Sequence, residues 1–332
     1  HYRLFLIAGI ALSAISALAA LAAGRYSLSL AQTVAVLISP FAENADVTAA
    51  MKSVVFNVRL PRVLLALAAG AGLASAGAAF QALFSNPLAT PDTLGVATGA
   101  AFGAVLGILL GADGFAIQIS SLLMGLGAVA LVYSISCVRG KTSILMLILS
   151  GLVIAAFFSA LIALVKYVAD PQDELPAVTF WLMGSMTGAT LKSLFLGLPF
   201  ILAGALVLYL LRWRLNALSL PADEAKSLGI NLPQLRVAVI VSCTMISAAV
   251  VSMCGLIGWV GLVIPHFVRL IVGSSNERVV PASFVYGALF VLLCDTAARS
   301  ATQMEIPVCI LTAVLGAPVF LILLRRSAAV RL

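Results

Sequence analysis

Runs of about 20 consecutive apolar residues recur along nearly the whole chain, and at ~1.5 Å per residue each is long enough to cross a ~30 Å hydrocarbon core. Inside that core every backbone N–H and C=O must be paired within the protein, which leaves α-helices as the solution for single apolar runs. The runs place ten spans, roughly at 3–23, 62–84, 93–111, 115–138, 143–166, 192–212, 235–254, 257–273, 281–300 and 307–325. Of the 332 residues 63% are apolar and 9% charged, where a soluble domain carries about a quarter charged. The fold class is therefore an all-α polytopic membrane protein of about ten transmembrane helices, with no soluble domain left over. The first run also has the basic residue, apolar stretch and Ala-Ala-Gly close of a signal peptide, but nine further spans need no secretion signal. His1 in place of Met predicts a trimmed start.

Lysine and arginine near span ends favour the cytoplasmic side. With the first span entering from the cytosol, one side carries Arg3, Arg139, Lys141, Arg212, Arg214, Lys226, Arg236, Arg269, Arg278, Arg325, Arg326 and Arg331, which is twelve of the nineteen. The bias predicts an even number of spans with both termini cytosolic. The net charge of +7 then reflects orientation and lipid contact, and nucleic-acid binding has no separate support.

Cys137, Cys243, Cys254, Cys294 and Cys309 are odd in number, have no close pair, and lie in or beside apolar runs, so they read as small core residues. His266 follows Pro265 beside Arg269, where hydrogen bonding to a carbonyl is the simpler role and ligation the rarer one. No metal site is expected.

A weak echo links the halves at an offset of 174 residues: Arg62-Val63 with Arg236-Val237, Leu88-x-x-Pro91 with Leu262-x-x-Pro265, and Gly99 with Gly273. A second copy at that offset begins on the opposite membrane face, which makes it an inverted repeat of the kind transporters use. Chance matching is the competing account. Small residues along the second span, among them Gly70, Gly72, Ala74, Gly77 and Ala78, let helices approach closely.

Three interruptions carry candidate functions. Asn86-Pro-Leu-Ala-Thr-Pro91 puts two prolines at the cytosolic end of the second span, either as a tight turn or as irregular backbone against a wet path. Arg139-Gly-Lys-Thr-Ser143 suggests a phosphate loop, but Ile135 stands where that motif needs its first glycine, so the chain carries no ATPase of its own. Between the fifth and sixth spans, Pro176 to Gly188 reads as a short interfacial helix near a pathway mouth or as an aromatic belt anchor.

Arg59, Arg62 and Arg299 oppose the orientation rule. Their guanidinium forks suit carboxylates of a soluble partner or lipid headgroups, and Asp295 is spaced to pair with Arg299 one turn away. On the other side, the polar loop from Arg212 to Arg236 holds a helix signal. Pro221 suits a helix start, Asp223 and Glu224 its positive end, and Gly229 a left-handed stop. A helix of two turns is marginal in water, so it packs under its own bundle or into a groove on another protein.

Arg59-Leu-Pro-Arg62, then Gln81-Ala-Leu-Phe-x-Asn86-Pro-Leu-Ala-x-Pro91-x-x-Leu-Gly95, then Gly261-Leu-Val-Ile-Pro265-His266-x-x-Arg269 and Leu315-Gly-Ala-Pro318 resemble the iron-chelate, haem and cobalamin permeases of type II ABC importers. The resemblance covers nearly the whole chain. It implies a single transmembrane permease domain over residues 1–332, with a cytosolic coupling loop at 213–235. It also implies a homodimer with a second copy of itself, two ATP-binding subunits below, a periplasmic substrate-binding protein above, and a place in the bacterial inner membrane.

Carried over residue by residue, the resemblance gives Arg59, Arg62 and Arg299 to binding-protein docking, and Asp223, Glu224, Ala225, Leu228 and Gly229 to ATPase coupling. Asn86 and Leu88, with Thr142 and Ser143, fall at the cytosolic gate. It implies no catalytic residue and no cofactor in this chain, ATP and Mg being bound by the partner ATPase. The cargo would be an iron-siderophore, haem or cobalamin type of chelate, or a metal oxyanion such as molybdate. The rival class, an ion-coupled secondary transporter, wants intramembrane carboxylates, and Asp295 is the one acidic residue placed inside a span.

Overall fold

The computed structural model describes residues 1–24, 26–41, 47–138, 141–301 and 305–329. The predicted apolar runs each hold a helix: α1 (Tyr2–Ala22), α4 (Leu60–Leu83), α5 (Val96–Leu109), α6 (Gly114–Ser136), α7 (Ile144–Val168), α9 (Leu191–Leu211), α11 (Leu232–Cys254), α12 (Val260–Val272), α13 (Asn276–Ser300) and α14 (Val308–Ala329). Between them lie the short helices α2 (Leu30–Ile38), α3 (Ala49–Ser53), α8 (Glu174–Leu182) and α10 (Ala222–Ser227). Among the described residues the remaining regular elements are a π-helical turn, two 3₁₀ segments and a two-residue ladder pairing Cys137–Val138 with Lys141–Thr142. Among the described residues seven helices are long and apolar enough to cross a membrane, and α5, α12 and the Val308–Leu323 part of α14 are shorter apolar helices.

A π-helical turn, Val54–Arg59, fuses α3 to α4 into one 35-residue helix. That helix and α11 are the centre of the bundle: 78% of the apolar window of each is buried, against 17% for α1 and 22% for α7. The outer helices keep large apolar side chains on the surface, Leu152 and Phe195 among them, as lipid contact requires. Small residues explain why α4 sits inside. Gly70 lies against the backbone of Gly287 on α13, and Gly77 against that of Gly261 at the start of α12. A hydrogen in place of a side chain lets the backbones approach, so dispersion contact along the helices supplies the packing that water would otherwise drive.

At the end expected to face outward, three elements meet through backbone. Gly184, just past α8, and Gly255, just past α11, both take positive φ (69° and 71°), and each Cα sits against the other segment's carbonyls. Ser185 N donates to Cys254 O at 2.9 Å, and Val308 N, opening α14, donates to Gly184 O at 3.1 Å. The short helix expected within Pro176 to Gly188 is α8, anchored here by its C-terminal end.

Three expectations about single residues change. Asp295 takes Arg62 as its close partner, and Arg299 Nε stands 3.9 Å from it. Cys243, Cys254 and Cys294 are buried, whereas Cys137 is exposed where α6 ends. Pro281, taken as the start of a span, lies inside α13, which begins one turn earlier at Asn276.

Candidate coupling, gate and docking sites

The three arginines assigned to docking by resemblance each bond within the chain. Arg59, the last residue of the π-helical turn, donates through Nη1 to Leu21 O at 2.7 Å and Ala22 O at 2.9 Å. Arg299 donates to Ala23 O at 3.0 Å and also to Ala20 O. Both guanidiniums therefore cap the C-terminal end of α1, where unpaired carbonyls and the negative end of the helix dipole attract cations. Arg62 bridges two carboxylates: Nε lies 3.0 Å from both oxygens of Asp295, and Nη1 2.8 Å from Glu305 Oε2. The three are only 4%, 7% and 8% exposed. They nevertheless converge on one pocket of about 240 Å³ at the end expected to face outward, shared with Gly24, Tyr26, Val54, Val58 and Glu305.

At the opposite end, a 3₁₀ segment, Arg214–Ser219, follows α9 and leads through Leu220 and Pro221 into α10. Pro221 is the N-cap, Asp223 and Glu224 occupy the first turn, and Gly229 has φ 71°, so the local signals act as their chemistry dictates. Six residues cannot hold a helix alone. Ala225 is fully buried in the main core and ties α10 down, while Leu228 is 65% exposed. One face packs under the bundle and the other offers an apolar knob flanked by carboxylates.

The turn after α4 is built around Asn86. Its Oδ1 accepts from Leu88 N at 2.9 Å, its own N–H donates to Gln81 O at 3.1 Å, and Ser85 is left with φ 47°, rare for a residue with a side chain. Leu88 is exposed at the tip. A 3₁₀ turn, Pro91–Leu94, then leads into α5, with the Gly151 backbone of α7 pressed against Thr93. Thr142 lies in the two-residue ladder and Ser143 caps α7 without a side-chain hydrogen bond. Arg139 and Gly140 fall outside the described residues. The contact of Gly151 with Thr93 joins α7 by backbone to the 3₁₀ turn that follows the Asn86 turn.

Sequence reasoning did not single out Glu305 as a partner of Arg62, and no local signal marks it, since the two are 243 residues apart. It also left unassigned a cavity of about 620 Å³ at the end expected to face outward, lined by Phe180 and Trp181 of α8, by Asp113, Phe115 and Gln118 at the start of α6, and by Lys192 and Ser193 of α9. Lys192 Nζ stands 4.8 Å from the Phe115 ring centre. His266 is buried with its ring edge-on to Phe320, a packing role. Asp295, the acidic residue a secondary transporter would need free, is fully buried against Arg62.

Comparison with known proteins gives this geometry a family. The chain is 42% identical over 313 residues to the molybdate import system permease protein MolB of Haemophilus influenzae, covering 94% of this chain and 92% of that one. It is 36% identical to the cobalamin import system permease protein BtuC of Halobacterium salinarum, over 82% and 73% of the two chains. It is 32% identical to the hemin transport system permease protein HmuU of Yersinia pestis, over 86% of each. A solved structure described as an inward-facing conformation of a metal-chelate type ABC transporter superposes with a TM-score of 0.87 at 40% identity, over 97% and 98% of the chains. The FecCD transport family model matches residues 11–326, and the chain belongs to that family of transport permeases.

Proposed function

We propose that two copies of this chain form the membrane pathway of an ATP-driven importer in the bacterial inner membrane, fed by a substrate-binding protein outside and moved by separate ATP-binding subunits inside. The observation that carries the motor side is the two-faced α10, with Ala225 buried and Leu228 projecting. Ten spans with both termini cytosolic fit the seven long and three shorter apolar helices. The inverted repeat gains support from α4 and α11, which carry the matched Arg62-Val63 and Arg236-Val237 within their first six residues and are equally buried. The convergence of Arg59, Arg62 and Arg299 on one outward pocket favours docking of an acidic partner surface, with Glu305 occupying Arg62 meanwhile.

The cargo is a metal chelate or a metal oxyanion, and the 42% identity to a molybdate permease makes molybdate the first to test. The permease, its ATP-binding subunit and its binding protein are placed in liposomes, and ATP hydrolysis is measured with molybdate, haem, ferric siderophores and cobalamin. Stimulation by one of them names the cargo class. Hydrolysis indifferent to all four, in an intact complex, removes these cargo classes.

A further inference from the structure

The coupling loop and the Asn86 turn are joined by hydrogen bonds that pass through three helices. Asn216, on the 3₁₀ segment five residues before Pro221, is exposed, and its Oδ1 accepts from Asn276 N at 2.8 Å. The Asn276 side chain, 6% exposed at the start of α13, accepts through Oδ1 from Arg269 Nη2 at 3.1 Å. Arg269, near the end of α12, donates onward to the end of α4, through Nη2 to Ala78 O at 3.2 Å and through Nε to Gln81 Oε1 at 3.4 Å. Gln81 O in turn accepts from Asn86 N, and Asn86 Oδ1 holds Leu88 N.

Arg269 is the centre of this series. Its guanidinium is permanently charged and planar, and its four described contacts are all to neutral oxygens, the fourth being Ser274 O. Charge-assisted bonds to desolvated acceptors are stronger than neutral ones, and Gln81 and Asn276 are each more than nine-tenths buried. A static role is available too, because a cation at the carbonyl end of α4 stabilises that helix whatever the loop does. The series differs from a cap in its outer link: the Asn216 side chain bonds to α13, and so ties the loop that carries α10 to the residue Arg269 grips.

We propose that Asn216, Asn276, Arg269 and Gln81 are positioning residues that transmit displacement of the coupling loop to the Asn86–Leu88 turn. This rests on the reading of α10 as the ATPase contact and of that turn as the gate. Displacement in series has a signature that independent braces lack. Cutting two links of one chain costs no more than cutting one, whereas two separate braces lose additively.

The test uses the full complex with its ATP-binding subunit in liposomes, a spin label on Leu88→Cys, and Cys137→Ser to remove the exposed native thiol. The readout is the fraction of label that changes mobility on addition of ATP and vanadate. Asn216→Ala and Asn276→Leu are each expected to lower the apparent switching equilibrium by about fivefold or more, as for an ordinary coupling energy. The double variant is expected to lose no more than the weaker single, and Asn276→Asp, which keeps an acceptor for Arg269, to switch as the unmutated complex does. Additive loss in the double, or unchanged switching in both singles, overturns the relay while leaving the gate standing. A label that ignores nucleotide in the unmutated complex overturns the gate reading and the relay together. If only Leu228→Asp leaves switching intact, the α10 reading fails instead.

Discussion

Arg62 and Asp295, 233 residues apart in sequence, close a buried ion pair with Nη2 to Oδ1 at 2.9 Å and Nε shared between both carboxylate oxygens. The pair staples the start of α4 to the last turns of α13. Asp295 is fully buried, so losing its close partner leaves a buried carboxylate with Arg299 only at 3.9 Å, a loss of about 3 kcal/mol, the lower end of the cost of breaking a buried pair. Arg62→Met is expected to lower thermal stability in detergent by that order, and Arg62→Met with Asp295→Leu to recover most of it. A loss below about 1 kcal/mol in the single variant would mean that the pair behaves as a solvated surface bridge.

Glu305 competes for the same guanidinium with a side chain 27% exposed. Removing its charge frees Arg62 Nη1 while Asp295 still holds the other edge. Glu305→Gln is expected to tighten binding-protein affinity about fivefold, the equivalent of roughly 1 kcal/mol for a partly exposed pair. Affinity on nanodisc-held complex is the measurement, and an unchanged or weaker value takes Arg62 out of the docking surface.

The spans were legible because lipid imposes one rule on every residue: α6 and α9 lie within two residues of the runs predicted for them. The short helix α10 was legible as well, since Pro221, the early acids and Gly229 act locally. What sequence could not supply is the destination of polar side chains. Arg59 and Arg62 looked outward because they flank a span, yet the π-helical turn that extends α4 brings them to the end of α1 and to Asp295. The series through Arg269 depends on contacts between residues 60 and 191 positions apart, beyond the reach of any periodicity.

Gly77 marks where α4 tolerates no side chain. A Cβ there would overlap the Gly261 carbonyl, which is backbone and cannot swing aside. Gly77→Ala is expected to cost about 1–3 kcal/mol, the usual range for overpacking. Gly127, exposed in the middle of α6 with open space around it, is the control. There alanine is expected to be neutral or stabilising by up to about 1 kcal/mol through helix propensity alone. Equal thermal stability of the two variants in detergent would refute close backbone contact between α4 and α12.

The two faces of α10 separate stability from coupling. Ala225 is fully buried, so Ala225→Leu is expected to lower the permease's own unfolding temperature, because the added volume has nowhere to go. Leu228 makes the opposite case: at 65% exposure it contributes little to the isolated permease, and Leu228→Asp should leave its unfolding unchanged. If Leu228 fills a pocket on the ATP-binding subunit, the same change buries a carboxylate there and weakens assembly by about tenfold or more, the scale of an interface hot spot. Co-purification with the ATP-binding subunit and unfolding of the permease alone, measured side by side, decide it. A Leu228→Asp permease that assembles normally would move the motor contact away from α10.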